Sequence, residues 1–409
     1  MTTANLDTAI SSANKITSPW AIAIAGLVSL SLAMSLGRFV FTPLLPMMLR
    51  DGAVTLDQGG TLATMNYFGY FVGAMLCFWI RAEPARIIRA ALAFTVLLTI
   101  GMVIPGGAVW WAVWRTIAGI CCGLAMVLTT VWSQQWLAEL GRPTLSGIMF
   151  CGPGVGIVIT SVPAFGMVAA QWPTTWCWIA FTILGVAMLL PVWRILGTTP
   201  PARPLESTQP SSSVPRERPK LTLEIWALTL TYGLGGFGYI ITATFLPVIA
   251  RHAIPDSPWV DLFLPVFGIG VAVGALLVTR IGMHHDNRRI LMFLYAVQSI
   301  GVGTAAIWPT ATGLAISSVM VGLPFTAIVA FAMREARRLW KADAAKLIGL
   351  MTAAYAIGQI AGPPMAMSLV AHTSGFSAAL GVAAVALLFG SLAFLGMWRT
   401  IPIGVPTQS

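Results

Sequence analysis

Twelve long apolar stretches dominate the sequence, and they restrict its fold more than any other feature. A helix needs roughly 17–25 apolar residues to cross the hydrocarbon core of a bilayer. Only 9% of the residues are charged and 57% are hydrophobic, whereas a soluble domain carries about 25% charged residues. Soluble enzymes, disordered chains and disulfide scaffolds are therefore excluded. We predict an all-α polytopic membrane protein with transmembrane segments at residues 20–49, 58–80, 87–105, 109–136, 145–170, 175–196, 222–250, 259–280, 290–308, 311–333, 345–370 and 376–398.

The basic residues lie almost entirely on one side of these segments. Of the 23 Lys and Arg, 19 fall on the side of the N-terminus, while Arg50 and Arg251 fall on the other side. Basic residues concentrate in cytoplasmic loops, so both termini are predicted to be cytoplasmic. The net charge of +10 is then a consequence of topology, and we expect no nucleic-acid partner.

A polar stretch at residues 197–221 divides the twelve segments six and six. It contains six prolines, the run Ser211-Ser212-Ser213 and charges of both signs, which is typical of a solvated linker. The predicted organisation is an N-terminal six-helix bundle at 1–196, a cytoplasmic linker at 197–221 and a C-terminal six-helix bundle at 222–409.

The two halves repeat each other at a nearly constant offset. Three pairs of segments agree on an offset of 201 or 202 residues, and agreement of this kind indicates duplication. The matching positions are Gly37 and Pro46 with Gly238 and Pro247, Gly69 and Gly73 with Gly270 and Gly274, and Gly147 and Gly156 with Gly349 and Gly358. Two parallel six-helix repeats predict the major facilitator fold, with a substrate site near the midplane between the halves.

Two arginines, Arg38 and Arg115, lie well inside predicted spans, and no acidic residue does so. A charged side chain at the bilayer centre costs at least about 2.5–3.5 kcal/mol, so it is a functional candidate by default. A substrate carboxylate or phosphate would fit a guanidinium; the alternative is a structural arginine bonded to backbone carbonyls. The residue that matches Arg38 in the second half is Tyr239, which predicts an asymmetric site with an anionic head on one side and a neutral or aromatic portion on the other.

Further polar residues recur at helical spacing inside two spans. Asn66 and Tyr70 lie in segment 2, and Thr352, Tyr355 and Gln359 share one face of segment 11. They are candidate substrate-binding residues, although hydrogen bonding between helices is an equal alternative.

Neither a metal nor a cofactor is expected. The five cysteines lie in apolar segments without a CxxC spacing, and the four histidines lie in loops. No span holds a nucleophile–base pair or paired carboxylates, so we predict that the protein is not an enzyme.

Several glycine-rich stretches resemble known transporter motifs. They are Arg115 with Gly119 and Gly123 in segment 4, Gly152-Pro153-Gly154-Val155-Gly156 in segment 5, and the loops after Gly73 and Gly274. These stretches resemble motifs B, C and A of the major facilitator superfamily. The resemblance implies a coupling role for Arg115, close helix contact at the glycines, and antiport through motif C.

Three longer runs of sequence indicate a particular group within this superfamily. They are Gly37-Arg38-Phe39 with Thr42-Pro43-Leu44-Leu45-Pro46, Gly236-Phe237-Gly238-Tyr239-Ile240-Ile241 with Ala243-Thr244-Phe245-Leu246-Pro247, and Ala353-Ala354-Tyr355-Ala356-Ile357-Gly358-Gln359. They resemble the YbfB/YjiJ group of that superfamily, which implies a polytopic secondary transporter.

The leading hypothesis is a secondary active transporter in a bacterial cytoplasmic (inner) membrane. It would move a small organic solute, preferably an anion, by alternating access, with proton-coupled export as one mode. The expected partners are this substrate, a coupling proton and lipid, and the expected state is a monomer. The alternatives are an efflux antiporter for drugs or neutral amphiphiles with Arg115 as its coupling residue, and a non-transporting membrane sensor.

The predicted topology can be tested with reporter fusions. A fluorescent protein that matures only in the cytoplasm should fluoresce when fused after residue 409. Alkaline phosphatase, which is active only outside the cytoplasm, should be active when fused after residue 52, where the first span has ended. The reverse pattern would contradict the orientation.

Overall fold

The structure is a computed structural model that describes residues 18–80, 82–198, 222–255, 257, 259–282, 285–340, 344–373 and 375–400. The predicted linker from residue 199 onwards and both chain termini lie outside these residues. The described residues form twelve helical spans, and each overlaps a predicted segment. They are α1 (Pro19–Arg50), α2 (Leu56–Leu76), α3 (Pro84–Gly101), α4 (Gly107–Glu139), α5 (Pro143–Ala169), α6 (Thr174–Val192), α7 (Leu223–Ala253), α8 (Phe263–Arg280), α9 (Asn287–Ile307), α10 (Ala311–Leu339), α11 (Ala344–Thr373) and α12 (Ser377–Thr400).

Ten of these helices are long and apolar enough, by length and composition, to cross a membrane. The other two are α2 and α11, which carry the polar candidates Asn66 and Tyr70, and Thr352, Tyr355 and Gln359. Large side chains such as Leu190, Leu223 and Ile307 are exposed on the outside of the bundle, as expected for surfaces that face lipid.

Local sequence determines where several spans begin. Ser18 accepts a hydrogen bond from the Ala21 amide, with Pro19 at the first helical position of α1. Thr55 and Gln58 form a capping box at the start of α2. Each device satisfies amides that have no partner inside the helix, so each favours a helix start at that residue.

The first span is interrupted in its middle by a π-helical turn. Helix α1 comprises Pro19–Met34, the turn Ser35–Phe39 and Phe41–Arg50. The Val40 amide donates to the Ser35 carbonyl at 2.6 Å, five residues back. Single π-helical turns inside α-helices are frequently found at functional sites. This one carries Arg38.

The twelve spans form two pseudo-symmetric six-helix bundles. Helix α2 contacts α4, and α8 contacts α10 in the same way; the pairs α3/α6 and α9/α12, and α1/α5 and α7/α11, repeat this correspondence. Within the first bundle, a Cβ added at Gly73 would meet the Ile120 carbonyl, and one added at Gly119 would meet the Asn66 carbonyl. In the second bundle, a Cβ added at Gly274 would meet the Leu323 carbonyl. These glycines allow the helix backbones to approach closely, as small residues do in membranes.

The two bundles meet along a seam formed by three helix pairs, α1/α7, α2/α11 and α5/α8. The glycines of the Gly152–Gly156 stretch point to different neighbours: Gly152 and Gly156 lie against Ser31 of α1, whereas Gly154 lies against α8. A Cβ added at Gly154 would be 2.6 Å from the Gly268 carbonyl oxygen and closer still to the Ala272 amide nitrogen. Gly154 therefore lets α5 and α8 touch across the seam.

Ion pairs lie where α1 and α7 end. Arg50 binds Asp51 and the Trp172 carbonyl, and Arg251, at the equivalent position of the repeat, binds Asp261 at 2.6 Å. Partial burial alone would raise the pKa of Asp51, but hydrogen bonds from Thr174 and Arg50 outweigh it and lower that pKa. Burial holds the pKa of Asp261 above its usual value despite Arg251.

The close contact at Gly154 predicts how substitutions on α5 change the thermal stability of the protein. Gly154→Val should lower the melting temperature of the purified protein, because the side chain must push α5 and α8 apart; overpacking of this kind costs about 1–3 kcal/mol. Gly166→Val is the matched control, since Gly166 lies on the same helix with open space around its Cβ position. Equal melting temperatures for the two variants would contradict the close contact.

Candidate functional site

Arg38 lies at the seam between the two bundles. The π-helical turn of α1 carries it, and only 4% of its surface is exposed. Its Nη2 donates a hydrogen bond of 3.0 Å to the hydroxyl oxygen of Tyr239 on α7. Its Nε has no hydrogen-bond partner in the part of the chain that the structure describes. On the guanidinium edge formed by Nε and Nη2, one nitrogen therefore has a hydrogen-bond acceptor and the other has none.

Aromatic rings surround the same guanidinium on the side of the first bundle. Its carbon lies 4.5 Å from the ring centre of Tyr67, 5.3 Å from that of Tyr70 and 5.4 Å from that of Phe39. These distances are within the range of cation–π attraction, which is worth about 2 kcal/mol or more where water is excluded. The rings thus stabilise a buried cation without neutralising it.

On the side of the second bundle, Tyr239 is held from three directions. The Nε2 of Gln359 donates to its hydroxyl oxygen at 2.6 Å. Its ring stacks with Tyr355 at 5.9 Å between centres and contacts Phe325 edge-on at 4.8 Å. Tyr355 in turn stacks with Tyr232 at 4.6 Å. The second bundle therefore presents an aromatic surface to Arg38.

Two more hydrogen bonds cross the seam beside this pair. The hydroxyls of Tyr67 and Thr244 lie 2.6 Å apart, and the Thr42 hydroxyl donates to the Ala243 carbonyl at 3.3 Å. Together with Arg38–Tyr239, these bonds join α1 and α2 to α7. They must break if the halves separate at this level.

Arg115 and Asn66 support the π-helical turn through hydrogen bonds to backbone carbonyls. The Nη2 of Arg115 donates to the Arg38 carbonyl at 3.0 Å, and its guanidinium lies 4.9 Å from the ring centre of Phe41. The Nδ2 of Asn66 donates to the carbonyls of Gly37 and Arg115, both at 2.9 Å. Arg115 thus has a backbone acceptor of the kind that a structural role requires.

The structure brings five of the predicted site residues together, namely Arg38, Tyr70, Tyr239, Tyr355 and Gln359. It does not join Thr352 to them through a hydrogen bond or ring contact among the described residues. The Thr352 hydroxyl donates to the Ile348 carbonyl of its own helix at 2.7 Å.

Sequence reasoning missed Tyr67, Tyr232, Thr244 and Phe325. A signal for the first two was present, because the chain has only six tyrosines and all of them lie inside predicted spans. Tyrosine in membrane proteins is normally enriched at the interfaces. Five of the six belong to the cluster around Arg38. Nothing comparable distinguishes Phe325 or Thr244.

The side chains of the site are of kinds that can bind a ligand. It offers one guanidinium, several phenol groups and an amide, all partly or fully buried. Among the described residues, no group of three or more His, Cys, Asp or Glu could hold a metal ion. A guanidinium recognises carboxylates through two parallel hydrogen bonds, and the rings offer flat apolar surfaces.

Two six-helix bundles related by pseudo-symmetry, with a buried polar site at their seam, define a transporter of the major facilitator type. The family model described as "Uncharacterised MFS-type transporter YbfB" matches residues 30–395, and the chain belongs to this family. The family resemblance inferred from the three sequence runs is therefore confirmed.

Relatives of known name match over part of the chain. Inner membrane transport protein YdhP of Escherichia coli (strain K12) is 31% identical over 40% of this chain, and cyanate transport protein CynX of the same strain is 27% identical over 38%. The chain spans less than half the length of either relative, 44% and 38% respectively. A crystal structure of a D-xylose–proton symporter covers 93% of this chain and 97% of that protein, with a TM-score of 0.69 and 16% identity, which establishes the fold alone.

A pair of tyrosines on α2 tests the bonds across the seam. Tyr67→Phe should lower the free energy of unfolding by about 0.5–1.5 kcal/mol, because it removes the hydroxyl that bonds to Thr244. Tyr70→Phe is the control: its ring also lies beside Arg38, but none of the seam bonds above uses its hydroxyl. Both can be measured by thermal unfolding in one detergent. A loss that is as large for Tyr70→Phe would contradict the assignment.

Proposed function

We propose that the protein is a secondary active transporter that moves a small organic anion across the bacterial inner membrane by alternating access. The observation that carries this proposal is Arg38, a buried cation at the seam whose hydrogen-bonding and ring partners are all neutral. Hydroxyls and rings offset only part of the free-energy cost of burying a charge. An anionic substrate would supply the missing countercharge and both acceptors for a guanidinium fork.

Alternating access is supported by the position of the site. Arg38 lies where α1 and α7 meet, while α5/α8 and α2/α11 form the rest of the seam. In folds of this type the two halves rock around a site near the midplane, exposing it first to one side and then to the other. The partial similarity to CynX, which is named for cyanate transport, also fits an anionic substrate.

The finer features of the transport cycle belong to the same proposal. We place the two bundles at 1–196 and 222–409, joined by a cytoplasmic linker at 197–221, in a monomer with both termini in the cytoplasm. Export in exchange for protons is supported by the resemblance of Gly152–Gly156 to the antiporter motif. Arg115, bonded to the backbone of the π-helical turn, would transmit coupling through that turn.

Transport in proteoliposomes tests the proposal. Radiolabelled organic anions, with cyanate included, should be taken up or released by the wild-type protein. Arg38→Ala should reduce the rate roughly ten- to hundredfold, because hydrogen bonds to a charged group contribute about 1.5–3 kcal/mol. Arg38→Lys should be intermediate, since lysine keeps the charge and loses the fork.

Arg86→Ala is the matched control for a lost arginine. The Arg86 side chain is 85% exposed and pairs with Glu83 away from the seam, so this variant should transport at the wild-type rate. An Arg38→Ala protein that moves an anion at full rate would contradict the proposal. Altered susceptibility to cationic drugs, without anion transport, would instead favour the multidrug alternative.

A further inference from the structure

Tyr239 occupies the place on Arg38 where the acceptor of a ligand would bind. Its hydroxyl oxygen takes the hydrogen bond from Nη2, while the adjacent Nε has no partner among the described residues. A carboxylate would engage both nitrogens at once, which a phenol oxygen does not do here. Tyr239 therefore stands in the place of a ligand. It is neutral, and it offers Arg38 a single oxygen acceptor attached to a flat ring.

The surroundings of the Tyr239 ring indicate what kind of group, attached to the anion, would fit beside Arg38. Tyr355 stacks against it at an angle of 21° between ring planes, and Phe325 contacts its edge. Tyr70 lies beside the guanidinium from the opposite bundle. Aromatic pairs are worth about 0.5–1.5 kcal/mol beyond the area that they bury. A flat ring attached to the anionic group would find such partners on both sides of the seam.

The charge of the site limits the charge of the ligand. Arg115, the arginine buried beside the π-helical turn, directs its Nη2 to the Arg38 carbonyl and its guanidinium to the Phe41 ring. Its hydrogen bond is thus directed to the backbone of the π-helical turn. Among the described residues, Arg38 is the arginine whose hydrogen bond and ring contacts lie in the cluster, so one negative charge is neutralised there and a second would be buried without a hydrogen-bonding partner.

We propose that the site binds monocarboxylates with a flat aromatic body. The carboxylate would take the Nε–Nη2 edge of Arg38 in place of the Tyr239 hydroxyl, and the ring would lie against Tyr355 and Tyr70. This inference rests on the proposed function and specifies its substrate class. Displacement of Tyr239 would also remove the Arg38–Tyr239 bond across the seam, so that binding of the ligand favours separation of the halves.

Four small probe molecules distinguish the contributions to binding of the flat ring, of the negative charge and of the number of charges. Benzoate carries the proposed ring and single charge. Cyclohexanecarboxylate keeps the charge and size without the flat ring, benzamide keeps the ring without the charge, and phthalate adds a second charge. Binding to the purified full-length protein can be measured by calorimetry and by the ligand-dependent rise in melting temperature. Benzoate should bind at least tenfold more tightly than each of the other three.

Variants locate the effect in the cluster. Arg38→Gln should abolish binding of benzoate and of cyclohexanecarboxylate. Tyr355→Leu should remove the preference for benzoate over cyclohexanecarboxylate, whereas Tyr355→Phe should keep the preference because it keeps the ring. Tyr295→Phe serves as a control, because the Tyr295 hydroxyl bonds to the Thr231 carbonyl within the second bundle. Melting temperatures without ligand show whether each variant is folded.

Failure of this inference differs from failure of the proposed function. Cyclohexanecarboxylate could bind as tightly as benzoate, or phthalate could bind more tightly than benzoate. If that binding depends on Arg38, the result would overturn the preference for aromatic monocarboxylates. The proposed function as an organic-anion transporter would still stand. Absence of binding by all three acids overturns this inference, and if acetate, cyanate and succinate also fail to bind to the folded wild-type protein, the proposed function fails with it. Benzoate binding that persists unchanged in Arg38→Gln would overturn the assignment of the site.

Discussion

A positive charge buried between two apolar bundles is the constraint on which the rest of the site depends. Burying the charge of Arg38 away from water is costly, and no acidic side chain lies well inside a predicted span to neutralise it. The cation is instead accommodated by weaker partners acting together, namely three rings and one phenol oxygen. Each of these partners stabilises the charge only in part. Under the proposed function, an anionic substrate would replace some of them.

That accommodation requires a distorted helix with close neighbours. The π-helical turn displaces the backbone of α1, and the carbonyls of Gly37 and Arg38 accept hydrogen bonds from Asn66 and Arg115. Asn66 and Arg115 can reach them because α2 and α4 are in backbone contact, where a Cβ added at Gly119 would meet the Asn66 carbonyl. A glycine between α2 and α4 thus helps to set the backbone position from which the Arg38 side chain extends.

The spans and the importance of position 38 could be predicted because they depend on composition and on repetition. Apolar runs of sufficient length predict helices in a membrane, and the offset of 201 residues paired Arg38 with Tyr239 before any contact was known. The π-helical turn could not be predicted, since Ser35–Phe39 has no residue type that requires it. The role of Asn66 was equally inaccessible, because an amide inside a span suits a ligand and a backbone carbonyl alike. Phe325 resembles every other apolar residue of its helix.

The duplication explains why the site is asymmetric. Both the Arg38–Tyr239 bond and the Thr42–Ala243 bond join residues separated by 201 positions, so equivalent positions of the two repeats face each other where α1 and α7 meet. An arginine at both 38 and 239 would place two cations within hydrogen-bonding reach in a medium of low dielectric constant, where like charges repel strongly. A tyrosine at both positions would offer no charge to an anion. One arginine facing one tyrosine avoids both outcomes: the two side chains form a hydrogen bond with each other, and under the proposed function the single charge attracts a negatively charged ligand. Divergence of the two halves at this position is thus a physical requirement for a duplicated carrier that binds an anion at the meeting point of its repeats.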